Sequence, residues 1–372
     1  MQAPPGTLVK RLGIAVILAI VWLAWVELAC FARLRLATTD TDVIPRAHLQ
    51  AVYGNATWVN TLADEWKVSN VFQYEAYVGW ARRPFHGQAI NIDSRGVRVS
   101  QPSHCDADKN LTIWVFGSST VWGAGVPDWL TIPSLLAGRY QKDGQAVCIL
   151  NFGEKSWVST QEMVKLTLEL KQAARKPDLV IFYDGPADVY ETYQSGRAGL
   201  HQNFDDVRQT LENKAAAGSG NFRYLLESNT ARTLRRPRSQ VSNAHQLSAA
   251  AMAEATVHCY LENVQLVQAL GREYRFQPFF FWEPTLTTGN KQLTPAEQQD
   301  LAAARLRTPG LDEANRAAYT LLETQAHPPV FPIADALDSA TDTLYFDEAH
   351  VSAEGNQLVA DRMYRTIRAA QP

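Results

Sequence analysis

The sequence predicts an α/β protein, a three-layer α/β/α domain with a central parallel sheet preceded by one transmembrane helix. Short apolar runs that end in glycine or polar residues alternate with helix-length segments, as buried parallel strands and their crossovers do. A continuous apolar run near the N-terminus is long enough to cross a bilayer. A chain of 372 residues, 46% of them hydrophobic, can bury a full core.

The apolar run covers 12–32 (LGIAVILAIVWLAWVELACFA) and carries one charge, Glu27. At ~1.5 Å per residue it spans the ~30 Å hydrocarbon layer. A buried core helix fits poorly, because the run is apolar on every face. A cleaved signal peptide is the alternative, but such apolar cores run to ~7–15 residues and end at a small-residue cleavage site. Residues 1–11 are then a short tail. Lys10 and Arg11 on one side balance Arg33 and Arg35 on the other, so flanking charge barely sets orientation. The short tail before a large domain predicts an inside N-terminus and an outside domain. Residues 12–32 make the lipid bilayer an expected partner.

Residues 33–105 read as an accessory N-terminal region. It holds a helical stretch near 55–68, an aromatic-rich segment, and INIDSRGVRVS, which alternates like a strand. The α/β alternation occupies 106–372. Strands are predicted at 111–117, 146–153, 177–185 and 275–282, with helices at 132–141, 159–176, 249–273 and 353–369. Residues 193–243 interrupt the pattern as a polar insertion, and its basic run 231–238 reads as a solvated face. In a parallel sheet the site is expected at the strand C-termini.

Charge excludes some partners. The 35 basic side chains meet 38 acidic ones, a net −3, which gives no reason to expect a nucleic acid. No Cys/His/carboxylate spacing suggests a metal, and no glycine-rich phosphate loop appears, so no cofactor is expected. Cys30 lies in the apolar run, leaving Cys105, Cys148 and Cys259. One bridge, Cys105 to Cys148, is possible in an exported domain, and buried thiols are the other reading.

Three predicted strands end in chemistry-bearing text: GSSTVWGAG, NFGEKS and YDGPADVY. FDEAHVSAEGN leads into the last helix. A serine hydroxyl is a poor nucleophile until a base takes its proton. His350 can do so if Asp347, three residues earlier, holds its other ring nitrogen. Ser119 is the matching nucleophile. Glu348 is the neighbouring carboxylate, and His201 the rival imidazole. Backbone N–H groups of Ser119 and Gly153 are candidate oxyanion donors. Trp122, Trp157 and Trp282 fall just beyond strand ends, where aromatics can stack on a sugar ring or pack in the core. Glu283 sits at the end of strand four and could line the cleft without a catalytic role.

These blocks resemble the SGNH (GDSL-like) serine hydrolases. Gly117-Ser118-Ser119 stands where that family has its G-D-S nucleophile block, Gly153 where it has a glycine after the second strand. Gly185-Pro186-Ala187-Asp188 replaces G-x-N-D, and Asp347-Glu348-Ala349-His350 matches D-x-x-H. The resemblance covers roughly 111–369, and the flanking text is similar to membrane-anchored bacterial members linked to surface polysaccharides. It implies a flavodoxin-like sheet and a Ser119, Asp347, His350 triad. It also implies an esterase that removes O-acyl groups, acetyl foremost, from a carbohydrate or small ester through a Ser119 acyl-enzyme. Residues Gly185, Asp188, Trp122 and Trp282 are expected near the substrate, with a structural role for Asp188, fixing its loop by accepting backbone hydrogen bonds, as the other reading. The implied location is a bacterial inner membrane with the domain on its periplasmic side.

There are two departures. Ser118 replaces a variable Asp. Ala187 replaces the Asn whose amide is the third oxyanion donor. The same triad would also serve an O-acyltransferase, and Ala187 leaves room for a catalytically weakened glycan-binding or assembly protein.

Overall fold

The computed structural model describes residues 5–37, 44–105, 110–202, 204–205, 207–208, 230 and 247–371. The chain forms two compact units, Met1–Asp42 with Asp205–Ser242, and Val43–Phe204 with Asn243–Pro372. Most of the insertion 193–243, including the basic run 231–238, lies outside the described residues.

The first unit contains helix α1 (Pro5–Ala37). Its segment Lys10–Arg33 is long and apolar enough to cross a membrane. Leu18, Trp22 and Trp25 stand exposed along it. Glu27, the one charge within the apolar run, accepts hydrogen bonds from the backbone N–H (2.9 Å) and hydroxyl (2.5 Å) of Thr230.

The second unit opens with α2 (Arg46–Tyr53), α3 (Val59–Ser69), and two small antiparallel pairs. These are β1 (Phe72–Glu75) with β2 (Gly79–Arg82), and β3 (Phe85–His86) with β4 (Asn91–Ile92). The helix expected at 55–68 therefore begins four residues later, after a turn at Gly54. INIDSRGVRVS is not one strand. Asp93 accepts from the N–H groups of Arg95 and Val97, and this local turn breaks the alternation.

Five parallel strands follow: β5 (Leu111–Gly117), β6 (Val147–Asn151), β7 (Leu179–Asp184), β8 (Gln277–Trp282) and β9 (Val330–Pro332). Their spatial order is β6-β5-β7-β8-β9, a doubly wound order with a switch point between β5 and β7. Strand β8 begins two residues later than its apolar text suggests, because Arg275 ends the preceding helix at φ 64°. The short β9 and two helices, α9 (Pro295–Arg307) and α10 (Leu311–Gln325), carry no signal that sequence periodicity picked out.

Alternate strand residues build two cores. Ile113, Val115, Ile181 and Phe281 pack with α5 (Ile132–Lys142) and α11 (Ala353–Ala370). On the other face Phe152, Phe116, Phe182 and Phe280 form a stacked ladder with centroids 4.9, 5.3 and 5.1 Å apart. Helix α8 (Ala249–Tyr274) covers this face, packing with α6 (Ser159–Gln172), α7 (Pro186–Ser195) and α10. The helix starts follow local chemistry. Ser248 and Ser352 cap α8 and α11, and Thr294 with Glu297 forms a capping box on α9.

Of the region expected at 33–105, residues 44–105 belong to the second compact unit together with the sheet, while 33–42 fall in the first. Arg98 forms an isolated antiparallel bridge with Asn151, extending the sheet beyond β6. A disulfide joins Cys105 to Cys148 on β6, while Cys30 and Cys259 are free thiols. The Arg98 guanidinium is fully buried against Asp128 (2.8 Å) and donates to the carbonyls of Trp122, Gly123 and Val126 (2.8–2.9 Å). Removing one member of such a pair strands the other charge. Arg98→Ala is therefore expected to cost about 3–5 kcal/mol of stability, read as a lower denaturant midpoint of the detergent-solubilised chain.

Candidate active site

The site assembles at the C-terminal ends of β5, β6 and β8. Strand β5 runs straight into α4 (Ser119–Trp122), a four-residue turn whose first residue is Ser119. The first N–H groups of a helix have no intrahelical acceptor, and the Ser119 N–H is one of these. Over two hundred residues later, the loop before α11 returns to this point. Glu297 anchors its base, accepting from the N–H groups of Leu344 (2.9 Å) and Tyr345 (3.2 Å) while paired with Lys291 (2.7 Å). The loop then folds back on itself through Phe346 N–H to His350 O (2.9 Å).

This geometry brings Ser119, His350 and Asp347 together. Ser119 Oγ lies 2.6 Å from His350 Nε2, and His350 Nδ1 lies 2.6 Å from Asp347 Oδ2. The second oxygen of Asp347 accepts from the N–H groups of Ala349 (3.0 Å) and His350 (2.8 Å), so carboxylate and imidazole belong to one tight turn. Their side chains are 33% and 26% exposed, which leaves the pair open to a substrate.

Burial by itself raises the Asp347 pKa, but the charge and hydrogen bond of His350 with the two backbone donors outweigh it and hold the group at about 2. An ionised Asp347 only accepts. The proton on His350 must then sit on Nδ1, leaving Nε2 to accept from the Ser119 hydroxyl. Burial pulls the His350 pKa down, and the Asp347 charge and hydrogen bond, with smaller help from Glu283 and Glu348, carry it above the ordinary imidazole value. Glu348 turns away to pair with Arg307 (3.0 Å). The rival imidazole, His201, bonds the Gln202 carbonyl and packs edge-on to Trp80 and Phe204.

Other expected positions take different roles. The Gly153 N–H donates to Asn151 Oδ1 (2.9 Å), whose amide donates to the Val121 carbonyl (2.9 Å). That donor is therefore engaged within the loop rather than open to an oxyanion. A Cβ at Gly153 would meet the Trp122 nitrogen at 2.3 Å, so only glycine lets this loop pack against α4. Trp122 is no sugar platform. It is fully buried between the guanidinium groups of Arg82 (3.8 Å) and Arg98 (4.3 Å), with Trp66 edge-on. Trp282 is also buried, edge-on to Tyr260, and the backbone of Gly185 (φ 134°) sits against its ring where a Cβ would clash. Trp157 is buried likewise. Asp188 is buried and accepts from the N–H and hydroxyl of Ser159, tying α7 to α6 instead of facing a ligand. Ala187 is half-buried in the first turn of α7 and contributes only a methyl group.

One feature, Arg98, carries no signal in the sequence, and Glu283, expected to line the cleft, is instead buried at 1% exposure. Arg98, one of three charged residues in the segment 90–100, is the group that holds the carbonyls at and after the end of α4. Glu283 lies against Thr120 at 2.5 Å. Among the described residues no set of three His, Cys, Asp or Glu side chains is arranged to hold a metal ion.

No family model matches the chain, and no curated protein does. The solved structures similar to it include two esterases and a lipolytic protein. A carbohydrate acetylesterase from Sinorhizobium meliloti is 15% identical, with 70% of this chain and all of that one covered at a TM-score of 0.39. A member of the lipolytic G-D-S-L family from Veillonella parvula is 11% identical, with 69% and 98% covered at 0.37. An acetyl xylan esterase is 10% identical, with 69% and 100% covered at 0.37. At these identities and scores, the chemical reading rests on the geometry of Ser119, His350 and Asp347 itself.

Gly153→Ala tests the packing of the nucleophile turn. Overfilling this contact is expected to cost about 1–3 kcal/mol, measured as a lower unfolding midpoint.

Proposed function

We propose that the chain is a membrane-anchored serine esterase that removes O-acyl groups, acetyl foremost, from a carbohydrate. The observation that carries this reading is the continuous hydrogen-bonded run from Ser119 Oγ through His350 to Asp347, with 2.6 Å at each link. Ser119 Oγ attacks the ester carbonyl carbon as its proton passes to His350 Nε2. The carbon–oxygen bond to the sugar then breaks, and the imidazolium returns the proton to the departing oxygen. Water attacks the acyl-enzyme by the same route in reverse, releasing the acid and restoring the Ser119 hydroxyl. Asp347 stabilises the imidazolium without taking its proton.

The apolar span Lys10–Arg33 would hold the domain at an inner membrane, and the Cys105–Cys148 bridge favours the oxidising, periplasmic side. A second reading, a catalytically weakened glycan-binding or assembly protein, is favoured by Ala187 and by the engaged Gly153 N–H. Transfer of the acyl group to a glycan hydroxyl would use the same residues, with the acceptor deciding the product.

Ser119→Ala is expected to lower turnover of p-nitrophenyl acetate by more than about 10³-fold and to abolish labelling by a fluorophosphonate. Absence of labelling in the unaltered chain would favour the weakened reading. Asp347→Asn is expected to lower kcat by about 10⁴-fold by favouring the wrong imidazole tautomer.

The pH profile has a definite sign. His350 acts as a base only when neutral, and its pKa is raised, so kcat/KM should climb along a limb centred above ~6.5. Asp347 stays ionised until pH falls to about 2, so that limb is not its own. A limb centred below ~6.5 would contradict the Asp347–His350 pairing.

A further inference from the structure

The end of β8 carries a carboxyl group that this mechanism leaves unused. Glu283 is 1% exposed, and its Oε1 lies 2.5 Å from the Oγ1 of Thr120, the residue after the nucleophile. Its backbone is fixed, since its N–H donates to the Asp184 carbonyl (2.8 Å) and Pro284 follows. The Thr120 hydroxyl is buried too, and stands 3.5 Å from the Ser118 hydroxyl on the other side of Ser119.

We propose that Glu283 is a positioning residue of the Ser119 site. From the end of β8 it grips the Thr120 hydroxyl, fixes the turn that presents Ser119, and sets the charge felt by His350. The inference rests on the esterase reading and adds a residue to it.

The surroundings explain why the contact is protonic. Around Glu283 stand Thr120 from α4, Tyr183 and Asp184 from β7, Glu162 from α6, and Asp188 from α7. Tyr345, Asp347 and His350 face it from the loop before α11. Burial pushes Glu283 up to about 8, with Asp188 and Asp347 adding to the rise, while the Thr120 bond and the His350 charge oppose it. Its acidic neighbours are no source of counter-charge. Burial drives Glu162 and Asp184 well above the usual carboxylate range, each raised further by neighbouring acidic groups. At neutral pH Glu283 itself therefore keeps most of its proton. As pH rises, Glu283 ionises, and its new charge favours the imidazolium form of His350. The two titrations overlap and resist each other.

The test is kcat/KM for p-nitrophenyl acetate against pH, on the full-length detergent-solubilised chain and its E283Q, E283A, T120V, T120S and E283A/T120V variants. The wild-type limb should be broad. E283Q cannot ionise, so its limb should narrow and move to lower pH, with activity near wild type at the optimum. E283A and T120V should each lose about tenfold at the optimum, as expected for one lost hydrogen bond, and the E283A limb should move to lower pH as that of E283Q does. T120S should be rescued, and the double variant should lose no more than the worse single one, since both remove the same contact. An E283Q profile that superimposes on wild type overturns the inference, as does additive loss in the double variant. Should E283A fail to fold, E283Q and the two Thr120 variants still decide it. A wild-type chain with neither turnover nor Ser119 labelling sinks the esterase reading instead, and does so before any variant is compared.

Discussion

A buried guanidinium holds the turn on which this site depends. The chain after α4 doubles back so tightly that the carbonyls of Trp122, Gly123 and Val126 are withdrawn from water without a strand or helix to pair them. Each would cost on the order of 1–3 kcal/mol if left unpaired. Arg98 donates to all three, and its charge is matched by Asp128. Its planar fork suits this task in a way a lysine would not. Trp122, the last residue of α4, is then clamped between Arg98 and Arg82, and Arg82 is itself paired with Glu154 on the loop after β6. The accessory region thus supplies the rigid wall against which the nucleophile turn is formed.

Two carboxyl groups near the same imidazole are driven in opposite directions, and the difference is one of donors. Asp347 receives two backbone N–H groups and a ring N–H, enough to outweigh its burial and hold it at about 2. Glu283 has one hydroxyl partner and acidic neighbours, and is pushed to about 8. Environments that separate the pKa values of like groups divide their work. Here one carboxylate orients the base, while the other stays neutral and adds no competing charge at pH 7.

Much of this arrangement is legible in the sequence because it is local. The apolar runs 111–117 and 275–282, the helix starts at 249 and 353, and the three-residue spacing of Asp347 and His350 each follow from short-range rules. What escaped is non-local. The role of Arg98 depends on carbonyls some 25 residues away, and that of Glu283 on a hydroxyl 163 residues away. Trp122 and Trp282 show the same limit from the other side. A tryptophan after a strand has the same text whether it faces a cleft or, as here, fills the gap between two arginines or the space above Gly185. The strand text of INIDSRGVRVS failed because the Asp93 side chain offered the backbone a competing turn.

Ala187 offers no side-chain donor, and this bears on how the proposed chemistry could run at all. One such donor is worth ~2.7–4 kcal/mol in the transition state. Electrostatic stabilisation of that kind depends on groups that need not reorganise when charge develops, and the turn around Ser119 is held on every side. Glu283 grips Thr120, Asn151 grips the Val121 carbonyl, Arg98 grips the carbonyls beyond, and Gly153 packs against the Trp122 backbone. A nucleophile fixed at 2.6 Å from its base is already in place for proton transfer. The rigidity has its own consequence. The Gly153 N–H is committed to Asn151, so it serves an oxyanion only if the substrate oxygen displaces that side chain. An ester bound tightly enough to do so would also be the ester the site selects.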